Sequence, residues 1–284
     1  MLGAQTLRDR GIMDDEALDI DDKFVERTIA ANRKFLRADL WGEWKIRGMG
    51  TPQRNGAPPP LLQRPYEDDA NLIPLIPATD MRVGRMPLFD AFLRRRSRRE
   101  YTSEPLSLEE FSFLLWATQG VQRITRQGTA TSRTVPSGGA RHPFETYLYV
   151  GRVDGLQRGL YRYLALEHAL CFLDGDPALE EKVHSGCLQE FVRDAAVVFI
   201  WTAVPYRTEW RYSFLSHKVI AQETGHLCQN LYLACESIRA GACALGTYDQ
   251  DGLDAILDVD GCDEFTIYVG VVGKVAQEST GDNK

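Results

Sequence analysis

The chain has 284 residues, enough for one large domain or two small ones. Apolar residues make up 44% and charged residues 26%, both ordinary for a soluble globular protein. A net charge of −7 argues against broad nucleic-acid binding; no window reaches the ~18 apolar residues of a membrane helix, and Met1–Glu16 lacks the apolar core of a signal peptide, so the expected compartment is the cytoplasm.

The first predicted element is a helical stretch over roughly Asp22–Leu40. A punctuated segment follows, with seven of the thirteen prolines between Pro52 and Pro77, including Pro58-Pro59-Pro60. Proline fixes φ and removes a donor, so neither a long helix nor a central strand fits there. The segment still carries Leu61, Leu62, Tyr66, Leu72, Ile73, Leu75 and Ile76, too many apolar residues for a disordered linker. Residues 41–80 therefore read as an extended arm packed on a body, its own or a partner's. The division that follows is an N-terminal helix and arm over 1–85 and a body over 86–284.

Pro87–Arg96 predicts a short helix ending in a burst of arginine. Ser107 followed by Glu110 is a capping box opening a helix with Phe111, Leu114, Leu115 and Thr118, which stops at Gly120. Residues 121–143, rich in Gly, Ser, Thr and Arg, predict a loop. Strand-like runs follow at Glu145–Val150, Gly159–Tyr163 and Ala169–Leu173, then a helix over Pro177–Leu188 and a central strand over Ala195–Val204. Val219–Ala240 is the longest helical stretch, its Leu227, Leu231, Ala234 and Ile238 falling at i, i+4, i+7 and i+11. Gly241 suits a left-handed helix stop. A short helix over Gly252–Leu257 and a strand over Phe265–Val272 close the chain. This order predicts an α+β fold with a mainly antiparallel sheet.

The six cysteines, at 171, 187, 228, 235, 243 and 262, form no C-x-x-C pair, and Cys228 and Cys235 stand two helical turns apart. They read as buried free thiols, and no metal site is expected. The five histidines show no metal spacing either. Gln222, His226 and Gln229 form a polar stripe on the long helix that either faces a dimer seam or a ligand, or makes a satisfied internal network.

Three motifs carry the chemistry. Arg94-Arg95-Arg96-Ser97-Arg98-Arg99 needs an anion or acidic neighbours, because five guanidiniums in six positions repel one another, and the arginine fork matches phosphate. On composition alone a solvated or nucleic-acid-facing patch is the better reading. In Pro136-Ser137-Gly138-Gly139-Ala140-Arg141-His142-Pro143 the glycines allow close approach to a flat ligand and Ser137 supplies a hydroxyl, although an ordinary turn explains the composition as well. Neither a dinucleotide fingerprint nor a P-loop is present. Gly241-Ala242-Cys243-Ala244-Leu245-Gly246-Thr247 also permits close approach; alone, it reads as a helix cap and loop.

Jointly, RRS-x-R at a helix end, LLWATQG, RTVPSGGARHP, GHLCQNLYLA and GACALG, in this order over about Pro87–Lys274, resemble the SagB-type dehydrogenase branch of the nitroreductase superfamily. The resemblance implies a nitroreductase-like fold, its sheet flanked by helices, in an intertwined homodimer with FMN at the interface. It places Arg95 and Ser97 on the FMN phosphate and ribityl chain, and Arg99 at the pyrimidine edge, where its charge favours the reduced flavin. Pro136, Ser137, Gly138 and Gly139 approach from the partner subunit, Leu245 and Gly246 line the ring by main chain, and Lys274 reaches toward the phosphate. The implied reaction is two-electron hydride transfer between a donor, such as NAD(P)H or an organic substrate, and an acceptor. Azoline-oxidising relatives carry a Lys-Tyr pair ahead of the long helix; here the matching positions are Arg211 and Tyr212. Arginine stays protonated and is a poor proton acceptor, which counts against peptide azoline oxidation, while Tyr212 remains a candidate acid or hydrogen-bond donor. The alternatives are a SagB-type peptide azoline dehydrogenase and a flavin-fold binding protein without turnover.

Overall fold

The computed structural model describes residues 21–48, 50–125 and 128–276. Met1–Glu16, on which the expectation of no signal peptide rests, lies outside them. Among the described residues no helix is long and apolar enough to cross a membrane.

Two helices come first, α1 (Asp22–Leu36) and α2 (Asp39–Arg47), where one continuous stretch was predicted. The break falls at Arg37, whose extended backbone (ψ 164°) ends the ladder. The proline-rich segment then lies along the chain's own body. Gln63 donates to Glu167 and accepts from Leu166 N–H, Leu75 and Met81 are buried, and β1 (Leu72–Pro74) pairs antiparallel with β6 (Ala169–Asp174). Pro74 is tolerated because β1 is a sheet edge.

The body opens with α3 (Leu88–Arg94) and α4 (Leu108–Gln119). The predicted capping box is present: Ser107 Oγ accepts from Glu110 N–H, and the Glu110 carboxylate accepts from Ser107 N–H. The 121–143 segment is not all loop, because β2 (Val121–Thr125) and β3 (Ala130–Arg133) form a hairpin. Their alternation was hidden because β2 is largely exposed and carries few apolar residues.

The main sheet adds β4 (Phe144–Val150), β5 (Gly159–Leu164), β7 (Val197–Ala203), β8 (Ala240–Leu245) and β9 (Phe265–Lys274). Its order is β1-β6-β5-β4-β7-β9-β8, every neighbouring pair antiparallel. Successive residues of β7 feed two cores. Val197, Phe199 and Trp201 pack with α4 and α7 (Ser216–Ser237), whereas Val198 and Ile200 pack with α5 (Ala178–Gly186) and α8 (Gln250–Ile256). With both faces covered, the strand is continuously apolar. The α7 residues singled out by periodicity, Leu227, Leu231, Ala234 and Ile238, are all buried in the first core.

Two further expectations need correction. The left-handed residue after α7 is Arg239 (φ 55°), not Gly241. Gly241 and its successors are not a cap and loop but the edge strand β8. Gly241 is required there because an added Cβ would lie 2.6 Å from Arg98 Cβ. A helix absent from the sequence reading, α6 (Tyr206–Tyr212), follows β7.

Candidate active site

The arginine-rich segment leaves α3 and runs beside β8, the edge of the seven-stranded sheet. Ser97 forms a parallel bridge with Ala242, and Arg98 N–H donates to Ala242 C=O at 2.9 Å. Arg95 and Ser97 both lie against Tyr232, which packs on the first core, whereas Arg99 lies against Phe191, which packs on the second. The Arg95 guanidinium stands 5.6 Å from the Tyr232 ring centre, Ser97 Oγ is 3.0 Å from Tyr232 Oη, and the Arg99 guanidinium is 5.9 Å from the Phe191 ring centre. Tyr232 Oη also accepts from Ala244 N–H at 2.8 Å, tying α7 to both the segment and β8. Arg98 pairs with Glu236, one turn beyond Tyr232 on α7, at 3.4 Å. Arg94 and Arg98 line a separate cavity of about 650 Å³ with Glu236, Arg239 and Lys274.

Two more expected residues stand at the end of β8. Leu245 is buried in the second core, and Gly246 is exposed, with nothing within 4 Å of an added Cβ. Lys274 is placed otherwise than expected. It is 5% exposed, and its ammonium is committed to Glu110 at 2.6 Å and to Ile238 C=O at 3.1 Å. It fastens β9 to α4 and the end of α7.

Residues 136–139 sit at the other end of α7. Gly138 N–H donates to Glu223 Oε1 at 2.5 Å. Ser137 Oγ accepts from His142 N–H at 2.9 Å and lies near the Glu223 carboxylate. A Cβ on Gly138 would press on Val219 at 2.9 Å and reach Tyr212 Cε2 at 3.4 Å, and one on Gly139 (φ 64°) would collide with the Arg211 side chain. The loop, Arg211 and Tyr212 are thus one cluster. Arg211 Nε donates weakly to Tyr212 Oη at 3.4 Å, and Arg211 Nη1 donates to Gln53 at 3.1 Å.

Glu223 was not singled out by the sequence. Only 4% exposed, it has one carboxylate oxygen buried without a partner, and burial raises its pKa above the ordinary carboxylate range. His142, buried with Nε2 on Thr131 C=O, is pushed down to about 3, first by desolvation and then by Arg133. It stays neutral near pH 7 and serves as a fixed strut of the loop. The stripe of Gln222, His226 and Gln229 is exposed and builds no internal network. Among the described residues no cluster of metal-ligating side chains occurs.

A sequence profile of the Nitroreductase family matches residues 93–274. A Methanocaldococcus jannaschii protein with a nitroreductase name is 31% identical over 192 residues, covering 68% of this chain and 93% of its own length. The trifolitoxin-processing protein TfxB of Rhizobium leguminosarum bv. trifolii is 27% identical over 164 residues, 55% of this chain and 44% of that protein. Among solved structures, one from Ralstonia eutropha with a nitroreductase name matches with a TM-score of 0.60 at 26% identity, over 78% of this chain and 95% of that one.

Proposed function

This chain belongs to the nitroreductase family and shares its α+β fold, and from that premise we propose that it is an FMN-dependent oxidoreductase acting as a homodimer. One observation carries the reading. Arg95 and Ser97 lie together against Tyr232, Arg99 projects from the same extended segment beside Phe191, and that segment bridges β8, whose end carries the exposed, uncrowded backbone at Gly246. A phosphate suits the Arg95–Ser97 end, and a flat ring suits the strip past Leu245. When bound, FMN supplies two-electron chemistry. The protein's own residues orient it, and the Arg99 charge sits where the electron-rich ring edge would lie. Lys274 stands outside this set, since Glu110 already holds its ammonium.

The dimer rests on where the two groups of residues lie. Glu223, under the 136–139 loop, and Tyr232, against the arginine segment, are nine residues apart on α7, about 13 Å along the axis at 1.5 Å per residue. Between them Gly225, His226 and Gln229 are exposed, as are Ala221 and Gln222 just before Glu223. An antiparallel helix from a second copy laid there would bring one chain's loop over the other's arginine segment. Gly225 supports this. Glycine inside a helix costs about 1 kcal/mol relative to alanine, and an added Cβ would meet nothing within this chain. Leu88, Phe89, Phe92 and Leu93 of α3 are also more than half exposed, an apolar face without cover in one copy. Gly225→Leu is expected to give a monomer in sedimentation equilibrium and to lower flavin content with it.

In this reading residues 86–284 form the flavin-binding body, and 1–85 the helices and arm laid upon it. The electron donor is NADH, NADPH or an organic substrate. The deciding experiment is anaerobic: purified protein loaded with FMN is mixed with NADH, NADPH and candidate organic donors, and the flavin band is followed at about 450 nm. Bleaching by a donor and recovery with an added acceptor are expected. Protein that takes up no FMN ends the reading, and flavin that no donor bleaches indicates a binding protein.

A second reading, a peptide azoline dehydrogenase of the SagB type, is favoured by the similarity to the trifolitoxin-processing protein. Arg211 weighs against it, because its permanently charged guanidinium is a poor proton acceptor where azoline-oxidising relatives have lysine.

A further inference from the structure

The N-terminal helices lie outside the stretch matched to the family, yet they reach the cluster around Tyr212. Trp41 of α2 packs edge-to-face with Tyr212, ring centres 5.8 Å apart at 67°, and with Trp44 at 6.1 Å and 81°. Guanidiniums close the row at both ends, Arg54 4.7 Å from the Trp44 ring centre and Arg211 5.7 Å from that of Tyr212. The row is held from two sides. Lys218, at the start of α7, donates to the Leu36 carbonyl at the end of α1. The chain after α2 is fastened to α6, Gln53 N–H donating to Trp210 C=O at 2.8 Å and Trp210 Nε1 donating to Ala57 C=O at 2.9 Å. Tyr212 Oη in turn lies 3.0 Å from where a Gly139 Cβ would be.

The aromatic core of this protein is sealed; Trp201, Tyr161 and Phe199 are fully buried. Trp41, Trp44 and Tyr212 are only partly buried, so their rings retain area for another molecule. They stand directly beside the loop that meets the flavin in the dimer proposed above, on which this inference rests. We propose that Trp41 and Tyr212 form the substrate-facing wall of the site and that Trp41 selects planar, conjugated substrates. Aromatic faces favour flat π-systems in offset or edge contact. The flanking guanidiniums Arg54 and Arg211 favour electron-rich oxygens on the substrate's rim. A quinone meets both conditions. Trp41 does not touch the reacting atoms; it determines which molecule lies over them.

The test compares two acceptors on the full-length, FMN-loaded protein. 1,4-Naphthoquinone is flat and must stack, whereas ferricyanide is compact, takes single electrons, and needs no aromatic wall. Trp41→Ala is expected to raise KM for naphthoquinone roughly 3- to 10-fold, the range of one aromatic contact. Turnover with ferricyanide and FMN content should stay as in the unsubstituted protein, and Trp41→Phe should restore most of the loss. Equilibrium dialysis of naphthoquinone against the oxidised protein reads the same wall without turnover, so binding that depends on Trp41 upholds the wall even where no donor reduces the flavin. An unchanged KM and Kd for naphthoquinone overturns the proposal. An equal loss with both acceptors also overturns it, since Trp41 would then only hold α2 in place.

Discussion

Glu145→Ala is expected to remove about 3–5 kcal/mol of folding free energy, the usual penalty for breaking a buried ion pair from one side. Glu145 and Arg207 are 3% and 4% exposed, and the Arg207 guanidinium donates to the Glu145 carboxylate. The same oxygen accepts from Arg64 N–H at 2.7 Å. Arg133 is buried nearby, its pKa lowered to about 10 by burial and then by the Arg207 charge. Without Glu145, two neighbouring buried guanidiniums lose their counter-charge and a backbone donor loses its acceptor. At about 2–4 °C per kcal/mol for a chain of this size, the thermal midpoint should fall by roughly 10 °C at fixed protein concentration. Arg207→Met on the Glu145→Ala background should recover a large part of the loss, because an apolar pair leaves no stranded charge. Chemical denaturation of Glu145→Ala, Arg207→Met and the double variant measures both effects; strictly additive losses would show that the pair does not interact. The consequence extends to the site, since Arg207 and Arg211 are one turn apart on α6. A loosened α6 should blunt the naphthoquinone preference even with FMN in place.

Sequence patterning revealed the elements whose partners are implied by their own periodicity. The α7 stripe repeats at helical spacing, the continuous apolar run of β7 announces a strand covered on both faces, and the Ser107–Glu110 box states where α4 begins. Strand β8 was hidden for the opposite reason. Gly-Ala-Cys-Ala is small because Arg98 and the Ser97 bridge press on it, and those partners lie more than 140 residues away. Hairpin β2–β3 was hidden by polar composition, and α6 by its seven-residue length. At the site, the motif residues were legible as types but not as commitments. Nothing in the spelling of Gly138 shows that its N–H goes to Glu223, nor in that of Lys274 that Glu110 takes its charge. Glu223 is an acidic residue among polar neighbours on α7, and only the fold reveals that it points inward while Gln222, His226 and Gln229 face out. The same limit applies to Trp41. Its partner Tyr212 is brought close by a chain reversal through the proline-rich segment, which no local pattern encodes.

Arg95→Ala should weaken FMN binding by one to two orders of magnitude, whereas Arg94→Ala should change it little. Both residues belong to one run of like charges, and composition does not separate them. The structure does. Arg95 lies with Ser97 against Tyr232, and Arg94 lines the cavity shared with Glu236, Arg239 and Lys274. A hydrogen bond between charged groups contributes about 1.5–3 kcal/mol, or roughly 10- to 150-fold in affinity. Arg95→Lys keeps the charge but loses the two-pronged fork, so it should fall between arginine and alanine. The affinity carried by Arg95 should also shrink as salt is raised, because a partly exposed charge pair is screened. Fluorescence titration of FMN with each variant, at low and high ionic strength, gives the ordering. The reverse ordering would place the phosphate in the Arg94 cavity, where Glu236 and Glu110 already neutralise Arg98 and Lys274. Arg95 would then be a stacking partner of Tyr232 alone, and the cofactor would lie on the far side of the segment, away from Leu245 and Gly246.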